Sequence, residues 1–89
     1  MPQIVGVHDV EDVDRWLSYK AERAEAIEGV GGTNVVDHVA DDGSKTIAVT
    51  AHVSDLAAFT AAMQAPPDEV LAAMQRHGVV PPVRWFVQQ

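Results

Sequence analysis

An α+β fold with the element order β-α-β-β-α-β is what this sequence predicts, and three observations carry the expectation. The stretch from Lys45 to Phe59, KTIAVTAHVSDLAAF, alternates apolar and semi-polar residues and then changes to helical spacing, so a strand runs straight into a helix. After Asp9, the residues Val13, Trp16, Leu17, Ala21, Ala24 and Ile27 recur at intervals of three and four, the stripe of an amphipathic helix. Short β-rich runs, QIVGVH near the start and VRWFVQ near the end, flank both segments.

Taken in order, Gln3 to His8 is the first strand, with Val5 and Val7 on one face and Ile4, Gly6 and His8 on the other. Gly6 marks a close approach of backbone or ligand. Asp9 stops the strand and caps the first helix, with Asp12 three residues on. Asp9, Glu11, Asp12 and Asp14 crowd the end where the helix dipole favours negative charge, and Glu11 and Arg15 are spaced for an i,i+4 pair. A break falls near Ser18–Tyr19, and Gly29, Gly31 and Gly32 end the helix.

Thr33 to Ala40, TNVVDHVA, is the second strand, and a turn at Asp41-Asp42-Gly43 joins it to the third as an antiparallel hairpin. That loop pairs Ala40 with Ser44, His38 with Thr46 and Val36 with Ala48, which sets Asn34, Val36 and His38 on the face of Thr50 and His52. A one-residue slip reverses the second strand's faces. Ser54 caps the next helix, whose inward positions are Leu56, Phe59 and Met63. Pro66-Pro67 splits it, and Asp68-Glu69 open a shorter helix that Arg76, His77 and Gly78 close. Pro81-Pro82 lead into the last strand, Val83 to Gln88, with Val83, Trp85 and Val87 opposite Arg84 and Phe86.

Composition narrows the function classes. The chain has 89 residues, a single domain, and a chain of that size buries only roughly 60–65% of its unfolded surface. With no cysteine, neither a disulfide nor a Cys-ligated metal can support it, so a second subunit is the simplest support. Six Lys and Arg against 13 Asp and Glu give a net charge of −7, which argues against nucleic acid and against an anionic membrane as partner. The opening MPQIVGVHDVED has no basic n-region and no long apolar run, so a cytoplasmic location is expected.

Right-handed crossovers on this order give a four-stranded antiparallel sheet in the order 4-1-3-2, with helices on one face. The third strand is then central, with Ile47, Val49, Ala51 and Val53 under the helices and Thr46, Ala48, Thr50 and His52 on the open face. The βαββαβ order, the length and the run VHDVEDVDRWL resemble the dimeric α+β barrel superfamily, whose domain is ferredoxin-like. That superfamily includes antibiotic-biosynthesis-monooxygenase-like proteins, small polyketide cyclases, muconolactone isomerases, haem-degrading enzymes and stress-responsive barrel proteins. The resemblance implies a sheet-to-sheet homodimer and a ligand pocket between sheet and helices or at the barrel mouth. No cofactor signature matches, and the Asn/His/Trp constellation of the haem-degrading branch does not map onto these residues, so no cofactor is expected.

The candidate chemistry lies with the histidines. His8, His38 and His52 are placed on one side of the sheet, with His8 and His38 toward one end and His52 at the other, so a three-histidine metal site is not expected. Three readings compete: strand-end histidines in water, a pocket acid or base, and a metal ligand. Asp37 needs a partner or a cavity if it faces the helices, and beside a histidine it makes an acid/base pair. His38, His8 and Asp37 are therefore the candidate catalytic residues. Tyr19, Lys20 and Arg23 lie near the helix break, where a pocket mouth could open, and the two cations could bind a carboxylate or phenolate, although solvated helix charges are commoner. Trp16, Phe59, Met63 and Trp85 line either an apolar pocket or an ordinary core. Two functions follow. One is a cofactor-independent oxygenase, isomerase or cyclase acting on a small apolar or aromatic ligand. The other is a non-catalytic homodimeric ligand-binding or stress-response barrel.

Overall fold

The structure is a computed structural model, and it describes residues 2–89. The elements are β1 (Gln3–Val10), α1 (Val13–Ser18), α2 (Lys20–Glu28), β2 (Gly32–Val39), β3 (Thr46–Val53), α3 (Leu56–Gln64), α4 (Asp68–His77) and β4 (Val79–Val87). All four strands form one antiparallel sheet in the order β2-β3-β1-β4, as expected, with β1 and β3 central. Among the described residues no helix is long and apolar enough to cross a membrane.

Pairing of Ile4 with Ala51, Gly6 with Val49 and His8 with Ile47 puts these residues on the helix-covered face. The core there has two centres. Ile4, Ala51, Val53 and Phe59 form one; Val10, Trp16, Ile47 and Val49 form the other. Ile27 and Val35 pack against both.

Local chemistry explains the element ends, with several corrections. β1 runs through Asp9 to Val10, so the cap of α1 is Asp12, whose Oδ1 accepts from the Arg15 amide at 3.0 Å. Asp9 stays in the strand and its carboxylate accepts from the Thr46 hydroxyl at 2.7 Å. The helix break is real and falls at Tyr19, between α1 and α2. Asp55, one residue past Ser54, caps α3 through the Ala58 amide. Gly78 ends α4 at φ 75°, a left-handed conformation that suits glycine.

The hairpin register differs from the expected one by two residues. His38 pairs with Ala48 and Val36 with Thr50, because the connection takes in residues 40–45 rather than three residues. A two-residue shift preserves faces, so Val36 and His38 remain with Thr50 on the open side. Asn34 and Val35 together oppose Ala51, a bulge with Asn34 at φ 51°. β4 starts at Val79, earlier than expected, and includes Pro81-Pro82, joined by a cis peptide. An edge strand tolerates those prolines because their missing N–H groups belong to the interrupted part of the ladder.

Candidate functional site

The ladder between β1 and β4 is interrupted at one place. Val7 pairs with Arg84 and Asp9 with Val80, which leaves Pro81, Pro82 and Val83 opposite His8 alone. The extra residues bow β4 away from β1 and make room beside the His8 ring. Next to it, at Gly6, the Trp85 indole lies across the strand; a Cβ there would come within 2.6–3.0 Å of three indole carbons. Bulge and glycine together shape a cavity of about 130 Å³ between sheet and helices. Val49, Met63, Ala73, Met74 and Val83 give it apolar walls, and His8, Arg23 and His77 are its titratable groups.

His8 has a defined tautomer. Its Nδ1 lies 2.8 Å from the Asp9 carbonyl oxygen, which can only accept, so Nδ1 carries the proton and Nε2 keeps its lone pair. Burial pushes the His8 pKa down, partly offset by that hydrogen bond, and Arg23 lowers it further, so the ring is neutral at pH 7. A free imidazole lone pair beside an apolar cavity is the arrangement of a general base.

Arg23 is the hub of the polar wall. Its Nε and Nη2 donate to both Asp37 oxygens at 3.0 and 2.9 Å, and Nη2 also donates to the Trp16 carbonyl at 3.0 Å. The guanidinium carbon stands 3.7 Å from the centre of the Trp16 ring. Both side chains of the ion pair are almost fully buried, at 7% and 2% exposure. Nη1 approaches His77 Nδ1 at 3.3 Å, and since a guanidinium only donates, His77 carries its proton on Nε2. His77 is thus in the tautomer opposite to that of His8. Burial, and then Arg23, lower its pKa, against the raising effect of the Glu22 carboxylate 3.5 Å from Nε2. Tyr19 stacks on the back of the His77 ring at 4.8 Å, and Arg76 bridges to Glu22.

The expected site residues therefore separate. His8, Trp16, Arg23, Met63 and Trp85 line the cavity. Phe59 lines a second cavity, of about 170 Å³, that also has Met63 and Trp85 in its walls. Tyr19 supports His77 from behind, and Lys20 is exposed. His38 is exposed on the open sheet face with His52, so it does not share a face with His8, and no His8–His38 pair forms. The physical reason is strand parity: His8 pairs with Ile47, whereas His38 pairs with Ala48. Asp37 does face the helices, and its partner is Arg23 rather than a histidine. Among the described residues no three His, Asp or Glu side chains gather as a metal site would require. His77 was not foreseen. The available signal was Arg23 itself, a cation seven residues after Trp16 and four before Ile27, on the buried stripe of the helix, where it needs polar company.

No protein-family model matches the chain, and no curated protein matches it. Solved structures do. SnoaB from Streptomyces nogalater, a cofactor-independent oxygenase solved as a mutant, is 18% identical, with a TM-score of 0.65 over 96% of this chain and 89% of that one. A protein from Deinococcus radiodurans described as an antibiotic biosynthesis monooxygenase is 14% identical, with a TM-score of 0.61 over 100% of this chain and 91% of that one. A dimeric ferredoxin-like protein from an uncultured marine organism is 7% identical, with a TM-score of 0.59 over 100% and 93%. Identities this low speak for architecture alone, and on that ground the chain has the ferredoxin-like α+β fold of the antibiotic-biosynthesis-monooxygenase-like proteins.

Proposed function

We propose that this protein is a small-molecule enzyme of the cofactor-independent oxygenase, isomerase or cyclase type, acting on a small apolar or aromatic ligand held between sheet and helices. The observation that carries the reading is His8: a neutral imidazole with a free Nε2 at the wall of an apolar cavity. Nε2 takes a proton from an acidic C–H or O–H of the ligand, and the electron pair stays on the ligand, delocalised onto its oxygen. The apolar walls keep water from the anion so formed, and Arg23, whose field Asp37 largely cancels, contributes a modest positive potential. The likeness to an oxygenase and to other monooxygenase-like structures supports this class of chemistry.

The test is turnover of an aromatic polyketide or lactone substrate, followed by oxygen uptake or ring isomerisation. His8→Ala lowers kcat about 100- to 10,000-fold, whereas His38→Ala leaves it unchanged. Full turnover in His8→Ala removes His8 from the chemistry. A second reading, a barrel that binds the ligand without transforming it, draws support from Arg23, whose Nε and Nη2 donors are taken up by Asp37 and the Trp16 carbonyl and whose Nη1 is turned to His77, so that little of its hydrogen-bonding capacity is left for a reacting group. Under that reading His8→Ala changes ligand affinity and no product forms.

The open face of the sheet completes the proposal. Val36, Val80 and Phe86 are exposed there beside Val5, Val7 and Thr50. A second copy packed sheet to sheet covers this surface, and one structural neighbour is described as dimeric.

A further inference from the structure

The cavity beside His8 and the cavity beside Phe59 share two wall residues, Met63 and Trp85. At about 130 and about 170 Å³, each alone is smaller than an ordinary ligand site, which starts near 300 Å³; the two joined reach that size. The residues between them suit a movable partition. Met63 is unbranched and adapts to irregular space. Trp85 stands on edge strand β4, is 37% exposed, and is held by an edge-to-face contact with Phe59 at 5.4 Å and by the bare backbone of Gly6. Neither hold is a hydrogen bond.

We infer that Met63 and Trp85 form a partition which an elongated ligand displaces, so that the two cavities become one site and Trp85 selects ligands by length. This rests on the reading of the sheet–helix cavity as the ligand site. The occupant is an uncharged, oxygen-headed apolar molecule. Its oxygen sits by His8, where Arg23 and Asp37 already neutralise each other and nothing rewards a charged head. Its body passes Met63 and Trp85 to end against Ile4, Leu56 and Val87. A fused bicyclic phenol and a medium-chain alcohol share this chemistry.

Calorimetric titration of the full chain with phenol, naphthol and octanol tests it. Naphthol or octanol binds more tightly than phenol, with one molecule per chain, and the tighter of the two tells fused rings from a chain. Trp85→Ala opens the passage in advance and raises affinity for that ligand about tenfold, the factor set by one edge-to-face aromatic contact, whereas phenol, which loses a wall of its own cavity, gains no affinity. Met63→Ala moves affinity in the same direction and decides the matter should Trp85→Ala fail to fold. If phenol binds and both longer molecules do not, or if neither substitution raises their affinity, the partition is a fixed wall and the inference falls, while the ligand-site reading stands. If none of the three binds, both fall.

Discussion

Arg23 and Asp37 show how much a single residue's partner decides. An isolated buried carboxylate or guanidinium is costly, and each here is tolerable because the other meets it with two hydrogen bonds. Removing one partner strands the other, so Asp37→Asn lowers the free energy of unfolding by about 3–5 kcal/mol in a urea titration. Arg23→Met combined with Asp37→Leu recovers most of that loss, because an apolar pair of similar volume needs no compensation. Equal losses in the single and double variants remove the pair from this account. Gly6 has a comparable local role. Its missing side chain is the space in which Trp85 lies, so the close approach read at this position from the sequence is that of an indole ring rather than of backbone or ligand.

At the scale of elements, α4 is fastened to the first helical layer from two sides. Arg15 of α1 donates to the Arg76 and Gln75 carbonyls at the end of α4, at 2.9 and 3.0 Å, where a cation complements the helix dipole. His77 of α4 inserts between Tyr19, Glu22 and Arg23. Arg76, on its own helix, is the other cation that faces it, and it pairs with Glu22. His77 and His8 both have folded pKa values below the ordinary 6.5, so below that pH the unfolded chain binds more protons than the folded one. Their neutral state is compatible with full stability above about pH 6.5, and stability declines as pH falls below it. The midpoint of thermal unfolding drops between pH 7.5 and 5.5, and His77→Gln, which keeps a polar group in place, flattens the drop; an equal drop in that variant assigns the effect elsewhere. Element order, strand faces on β3 and β4, and the break at Tyr19 were legible in the sequence, because each follows from residue spacing; the alternation of β1 was legible too, but its His8 face was set on the open side of the sheet, whereas it lies under the helices. The docking of α4 was not. Arg15 and His77 lie 62 positions apart, and spacing carries no signal over that distance. Nor was the hairpin register, since the bulge at Asn34 and the long connection after Val39 depend on backbone angles that the residue pattern does not encode.

For the whole molecule, the proposed sheet-to-sheet dimer predicts the state of assembly. Sedimentation at micromolar concentration is expected to show a dimer, and Phe86→Lys, a charge placed amid the open sheet face, is expected to shift it to monomer; a wild-type monomer refutes the arrangement. The bowed edge strand has a separate consequence for motion. β4 touches the rest of the sheet along β1 alone, its ladder is interrupted by two prolines, and most of its residues are exposed. It is therefore expected to open in native fluctuations ahead of the central strands β1 and β3, and its amides to exchange with solvent hydrogen sooner than theirs. Val83 and Trp85 of that same strand close the cavity beside His8. An occupant of the cavity then slows amide exchange along β4 before it slows exchange in β3, and the exchange rate of one edge strand becomes a gauge of occupancy.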